Sequence, residues 1–526
     1  MSTSLRQCIR EVSVYLILLV FISTLGPLQF GYHLAELNAP QDVVTCQKKS
    51  IGVALLARAA NWFASVKPSH NKQASSQSPW FPDCIPMSDA TFATISSVFT
   101  IGGLIGALSA GPISSKKGRL PAMRLTALSY FIGSLLETVA GGVFVLGSGR
   151  FITGLGAGAS TVIVPLYISE VAPPKERGIF GAMTQVSINV GILATQTLGY
   201  FLSYGNAWRW ILAIGLFLST AQAFGLVIVP ESPAWLAAHG KSAKARKTLQ
   251  RIRGKTFDIS EEVEGWAKDD NDDDDVAAAE DARLLSQAGS DLPTTPTIGS
   301  RLAGGPVGHL GFIQVVRDPL YRPAIIACVG IMFAQQLCGI NSIIVYSVSL
   351  LADLLPISSA LLTIAISCVN LFMTIVCSPL PDRIGRKTCL LISIIGQGSS
   401  SLALALSITF GAKILSALAV LFFVGFFAVG LGPVPFIMAS ELVGQEAVGA
   451  TQSWCLASNY TATFLVVQFF PIVNNWLNGW LGGAGWVYFV FAGFALGSAV
   501  FVSWRVPETL GRKDADEVWG RTRRID

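Results

Sequence analysis

Charge is what this chain has least of. Lys, Arg, Asp and Glu make up 13% of its 526 residues, against about 25% in a soluble globular protein. Hydrophobic residues reach 52% and mean hydropathy is +0.56, so water is not the solvent for most of its surface. Histidine is scarcer still, with four residues at 33, 70, 239 and 309, of which only His33 falls in an apolar run. The apolar runs therefore hold no histidine-based metal cluster and no nucleophile–base set, which argues against an intramembrane enzyme and against a bound metal. Nothing in the sequence suggests nucleic-acid binding. The N-terminus MSTSLRQCIREVS lacks a small-residue cleavage site and leads into a run too long for a signal peptide, so it reads as a retained first helix.

What the chain has instead is apolar runs of about 20 residues, the length that crosses a bilayer as a helix. Twelve begin near Val12, Thr91, Met123, Gly149, Thr184 and Arg209, then near Arg322, Ser359, Thr388, Ala412, Ser453 and Gly482. They predict an all-α integral membrane protein of twelve transmembrane helices, each satisfying its own backbone. Lys116, Lys117, Arg119 and Arg124 follow run 2, Lys175 and Arg177 follow run 4, and Arg383, Arg386 and Lys387 follow run 8. Short loops on the other side are almost bare of Lys and Arg, which puts both termini in the cytosol. The expected divisions are a six-helix bundle over 1–230 with a long outer loop at 41–90, a cytosolic linker over 231–321, a second bundle over 322–506 and a short cytosolic tail over 507–526.

Within the linker, AHGKSAKARKTLQRIRG sets Ala243, Leu249 and Ile252 at roughly helical spacing, which predicts short helices under the bundle. The acidic run KDDNDDDD and its continuation, about 268–306, read as disordered tether, because unspaced Asp without a glycine turn makes no cation site. The halves echo each other: SSKKGR at Ser114 aligns with PDRIGR at Pro381, and PES at Pro230 with PET at Pro507. Such a repeat puts a binding site between the halves of a rocking transporter. Of nine cysteines, Cys46 and Cys84 share the outer loop, an oxidising side on this topology. They are the disulfide candidates, with free thiols as the alternative.

The stretches GRFITGLGAG, PLYISEVAPPKERG, PESPAWL, QQLCGINSIIVYS, PDRIGRK, GLGPVPF and VPETLGR succeed one another over nearly the whole chain. In order and spacing they resemble the motifs of the sugar porter family of the major facilitator superfamily, and FGYHLAELNAP resembles the first-helix motif of its facilitative hexose transporters. The resemblance implies two pseudo-symmetric six-helix bundles that carry a hexose or related sugar by alternating access. A polyol transporter of the same fold and a non-transporting sugar sensor are the alternatives, the sensor disfavoured by a short tail.

Sugar hydroxyls both donate and accept hydrogen bonds, and carboxamides do both without burying charge. QQLCGIN supplies Gln335, Gln336 and Asn341, and the resemblance adds Gln185, Asn370 and Asn459, with Gly432 in a span that glycine and proline allow to bend. The family's Trp after GPVP is here Phe436, and Thr463 stands where similar facilitators often carry Asn, which turns the expectation from glucose itself to another sugar. A cytosolic charge latch is expected from Arg119, Glu170, Arg177 and Glu231 in the first half and Asp382, Arg383, Arg386, Glu441 and Glu508 in the second. Ser115, Lys116 and Val448 depart from the family pattern and predict a looser latch, hence a less firmly locked outward-facing state. The coupling candidates are His33, where proton-linked members carry Asp and facilitators Asn, and Arg150, which matches the family Arg facing that position. Both couplings stay open at this point; no cofactor is expected beyond a co-transported proton. Glu36, nearer the outer end of the first run, is expected to be wetted. Sugar and lipid are the expected partners, the monomer the expected working unit, and a plasma or vacuole-type membrane the expected location.

Overall fold

The computed structural model describes residues 13–47, 82–173, 176–254, 257–260, 262–263, 312–351, 359–444, 447–512 and 515–520. The acidic stretch Lys268–Asp275 and the rest of the 268–306 tether expectation lie outside them. The first half comprises α1 (Val14–Ala35), α2 (Asp89–Lys117), α3 (Arg119–Thr138), α4 (Val143–Val171), α5 (Arg177–Leu202) and α6 (Trp208–Gly225). The second comprises α7 (Arg322–Leu337, resumed as Ile340–Leu351), α8 (Ser359–Cys377), α9 (Arg386–Thr409), α10 (Lys413–Val429, resumed as Val434–Glu441), α11 (Val448–Leu481) and α12 (Trp486–Arg505). Among the described residues there is no strand, and each predicted run has its helix. Several helices start before their apolar run, because residues such as Arg119 form the first turn at a membrane boundary.

Large apolar side chains such as Leu128, Phe217, Phe224, Phe422 and Trp504 are exposed on the outside of the bundle, as lipid-facing positions must be. Polar and small residues turn inward. Gly102, Gly103 and Gly106 of α2 meet Gly154, Leu155 and Gly158 of α4 so closely that a Cβ at Gly102, Gly106, Gly154 or Gly158 would run into the partner's backbone. In the linker, helices Pro233–Ala238 and Ser242–Arg253 are present. The buried face of the second carries Ala245, Leu249 and Ile252; Ala243, predicted to be part of it, is not among its buried residues. Spacings of four and three residues keep one face, and Ala243 falls off that face. Cys46 and Cys84 form a disulfide that closes the outer loop.

Two helices break where the sequence provides few alternatives. α7 interrupts at Cys338–Gly339 and α10 at Gly430–Pro433, where Pro433 and Pro435 supply no backbone donor. These breaks lie against each other and frame the polar centre of the second half.

Candidate functional site

The break in α7 places Gln335 and Gln336 on its first segment and Asn341 on its second. Gln335 Nε2 donates to the carbonyl of Leu431, exposed by the α10 break, and more weakly to Gly432 O at 3.4 Å. Asn459 of α11 donates Nδ2 to Gln335 Oε1. Asn341 Nδ2 donates to Gln336 Oε1 at 2.6 Å and to Thr463 Oγ1 at 3.3 Å, while Thr463 Oγ1 donates to Asn459 O at 2.8 Å. Gln335, Gln336, Asn341, Gly432, Asn459 and Thr463 thus form one network joining α7, α10 and α11. The amides satisfy one another, and each can exchange that partner for a hydroxyl.

Gln185 and Asn370 belong to a second group. Gln185 Nε2 and Asn370 Nδ2 approach Asn189 Oδ1 at 3.5 and 3.4 Å, and Asn189 Nδ2 donates to Thr374 Oγ1 at 2.8 Å. This group bridges α5 of one half to α8 of the other. Asn189 and Thr374 are additions to the sequence-derived set; a buried Asn four residues after Gln185 is the signal that would have flagged the first. Phe436 is 41% exposed and joins neither network. Nearer the end that carries the Cys46–Cys84 loop, Ser97 Oγ of α2 donates to Gln468 Oε1 of α11 at 2.6 Å and Asn38 Nδ2 to Ile344 O at 2.8 Å. The halves therefore touch through polar bonds at the loop end.

A third constellation lies wholly inside the first half. His33 is on α1, Glu36 just past its end, Glu137 in the last turn of α3 and Arg150 in α4, and all are at most 2% exposed. Arg150 Nη1 donates to Glu36 Oε1 at 2.6 Å and also to the His33 carbonyl. His33 Nδ1 lies 2.8 Å from Glu36 Oε2 and 3.8 Å from Glu137 Oε2, and its Nε2 is 3.3 Å from Ser134 Oγ. Glu137 Oε1 accepts from Thr153 Oγ1 at 2.8 Å, whereas Oε2 is buried with no hydrogen-bond partner among the described residues. The imidazole stacks on Tyr130, ring centroids 5.5 Å apart, and Arg150 lies 4.5 Å over the Phe99 ring. Gly215 of α6 leaves the space the imidazole fills. Two expectations change here. Glu36 is buried rather than wetted, and it, not the imidazole, is the side-chain partner of Arg150. Glu137 is missing from the sequence-derived set because it resembles an ordinary helix-end carboxylate. An anion in the last turn of a helix opposes the dipole, and that was the available signal.

At the opposite, basic end, Arg119 Nε and Nη2 grip both oxygens of Glu170, the closest contact being 2.6 Å, and Arg386 Nη2 reaches Glu441 at 3.0 Å and Asp382 at 2.9 Å. Every ion pair here, among the described residues, stays within one half. Glu231 and Glu508 do something other than pair with a guanidinium. Glu231 accepts from the backbone N–H of Arg119, Leu120 and Ser232, and Glu508 from those of Arg386, Lys387, Thr509 and Leu510. Each carboxylate caps the first turn of a helix, α3 or α9, where orphan donors and the positive dipole end favour it. The preceding Gly118 and Gly385 have φ of +102° and +101°, a region essentially reserved for glycine, and a Cβ on either would strike the capping carboxylate. That is the physical content of the GR and PE[ST] repeats. Arg383 is exposed and outside these ion pairs; the Arg177 side chain lies outside the described residues.

The sequence profile of the family described as "Sugar (and other) transporter" matches residues 19–514. A probable metabolite transport protein of Saccharomyces cerevisiae is 33% identical over 97% of this chain and 96% of its own length. The human solute carrier family 2 facilitated glucose transporter member 3 is 29% identical, over 96% of this chain and 92% of its own. Among solved structures, the inward open conformation of the xylose transporter of E. coli superimposes with a TM-score of 0.69 at 22% identity, covering 96% of this chain and 99% of that one. That likeness establishes the twelve-helix, two-bundle fold.

Proposed function

Because the chain belongs to the sugar transporter family, we propose that it carries a hexose or closely related sugar across a membrane by alternating access. The observation that carries this reading is the uncharged network of Gln335, Gln336, Asn341, Asn459 and Thr463 around the α7 and α10 breaks. A polyol needs many donors and acceptors in one place and no net charge, and this network meets both requirements. The sugar enters by replacing amide–amide bonds with amide–hydroxyl bonds, so desolvation costs are offset bond for bond. Phe436 offers an exposed ring for the apolar face of the sugar, without the N–H donor of an indole.

The two halves move as units. Ion pairs and carboxylate caps hold each half together at the basic end, whereas among the described residues the bonds that cross between the halves are uncharged, the shortest being Ser97–Gln468, Asn38–Ile344 and Asn189–Thr374. Taking the basic end as cytosolic, this is a conformation closed toward the outside, and reopening requires the bonds at the loop end to exchange with water. The protein works as a monomer in a plasma or vacuole-type membrane, both termini cytosolic.

The test is counterflow of a labelled panel of hexoses, pentoses and polyols in proteoliposomes. Exchange of at least one hexose, abolished by Gln335→Ala, supports the proposal. Exchange of polyols alone favours the polyol reading, and failure of every compound with folded, reconstituted protein refutes transport of this class.

A further inference from the structure

We propose that the second half binds the head group of an anionic phospholipid in a cavity between the start of α7 and the end of α12, whatever sugar the chain carries. The cavity, about 320 Å³, is lined by Pro323 and Ile326 of α7, Trp504 and Arg505 of α12, and Trp519 of the tail. It lies at the basic end, because α7 starts there and α12 finishes there. Ile326 and Trp504 are 43% and 78% exposed on the lipid-facing surface, so the cavity borders the acyl chains.

Its chemistry selects the occupant. Arg505 lies 4.6 Å over the Trp504 ring, is exposed, and takes no part in the ion pairs of the basic end among the described residues. A guanidinium held on an aromatic face keeps its donors for a phosphate. Arg322 opens α7 beside Pro323 and is exposed too, and the orphan N–H groups of that first turn add the positive end of the helix dipole. Two acids of the adjoining tail are engaged elsewhere: Glu508 caps α9, and Glu517 reaches Arg512 at 3.4 Å. The volume is close to the lower limit of ~300 Å³ for ligand pockets, enough for a phosphate-bearing head and too little for acyl chains. The chains therefore stay in the bilayer against Ile326 and Trp504, a contact no soluble anion makes. The two indoles stand at the depth where tryptophan collects in membranes.

An occupied cavity also steadies the tail. Trp519 donates Nε1 to the Leu442 carbonyl at 3.0 Å, just past the second segment of α10. A head group held between Arg505 and Trp519 thus clamps the tail to the helix whose break frames the amide network.

The experiment strips full-length protein of lipid, then titrates phosphatidylserine or phosphatidylcholine with identical acyl chains while native mass spectrometry counts bound lipid. Wild type is expected to take up one phosphatidylserine about fivefold more tightly than phosphatidylcholine, the discrimination of one basic residue at a membrane surface. Arg505→Glu should abolish the preference, Arg505→Lys should keep it, and the exposed Lys116→Ala, Lys117→Ala pair outside the cavity should leave it unchanged. Phosphatidylserine should also raise the unfolding temperature of wild type and not of Trp519→Ala; an equal rise in both overturns the clamp. Equal uptake of the two lipids, or an equal loss in the Lys116 and Lys117 variant, overturns the site as surface charge alone. Displacement of the lipid by millimolar inorganic phosphate reassigns the cavity to a soluble anion and overturns the lipid. Where Arg505→Glu does not fold, phosphatidylserine with brominated chains decides: tryptophan quenching in wild type that is partly relieved in Trp504→Phe supports the site, and unrelieved quenching refutes it.

Discussion

A double-mutant cycle on Glu36 and Glu137 probes how the buried cluster balances its charge. Glu137→Gln removes a carboxylate whose hydrogen bond from Thr153 the amide oxygen can keep; the expected cost is within about 1 kcal/mol. Glu36→Gln weakens two charge-assisted bonds, from Arg150 and His33, to neutral ones, a loss of about 2 kcal/mol. In that variant Glu137 remains as counter-charge, which limits the damage. With both replaced, the Arg150 guanidinium, 2% exposed, keeps only neutral partners, the amide oxygen at position 36, the His33 carbonyl and the Phe99 ring, and a buried cation without a carboxylate costs about 5 kcal/mol. The double variant should thus be worse than the sum of the singles by about 2 kcal/mol, a coupling expected of residues sharing one partner. At about 2 °C or more per kcal/mol for a large domain, its apparent Tm should drop by roughly 10 °C. Fluorescence-detected size exclusion after heating, at one heating time for all variants because unfolding is irreversible, gives the ranking. Additive losses, or an equal loss in the two singles, would refute the reading that the two carboxylates together balance Arg150.

Three further outcomes are expected from other parts of the structure. Gly118→Ala and Gly385→Ala each force a Cβ into a glycine-only conformation and against a capping carboxylate, so each should destabilise by about 2 kcal/mol; a neutral result in thermal unfolding would count against the caps. Asn459→Ala removes a donor to Gln335 and should raise the half-saturating sugar concentration about tenfold, the equivalent of one good hydrogen bond, as read by concentration-dependent counterflow. Reducing the Cys46–Cys84 bond, which closes a loop with a separation of 38 residues, should remove about 2–4 kcal/mol of stability; an unchanged unfolding temperature in a thiol reductant, with Cys46→Ser behaving as wild type, would show that the loop adds none.

Hydropathy makes the twelve helices legible, since each must satisfy its backbone alone and so writes its own apolar run. Repeated motifs make the two halves legible, and the polyol chemistry of Gln335, Gln336, Asn341 and Asn459 can be read because an amide in a span is rarely there for lipid. Side-chain pairing is harder. Sequence sets Arg150 beside His33, yet its side chain grips Glu36, because one helical turn separates the two acceptor positions and periodicity does not say which a guanidinium will choose. Glu137 sits in sequence like a solvated helix end, and only the packing of α3 against α4 and α6 shows that it is buried. The caps are hidden for a related reason: a repeated pattern of acids and arginines suggests ion pairs, while Glu231 and Glu508 serve backbone donors that almost every residue carries and no sequence pattern displays.

The cap from Glu508 also sets a boundary for anyone engineering this chain. Its carboxylate lies beyond the last spanning helix yet finishes the first turn of α9, so the start of the tail is a brace rather than a spare end. A stop codon before Glu508 would leave the backbone donors of Arg386 and Lys387 uncapped, whereas a fluorescent reporter fused after Gly520 leaves the brace whole. Expression trials of nested truncations should therefore show their largest step at Glu508, with smaller ones where Thr509, which donates to Glu441, and Trp519, which donates to the Leu442 carbonyl, are lost.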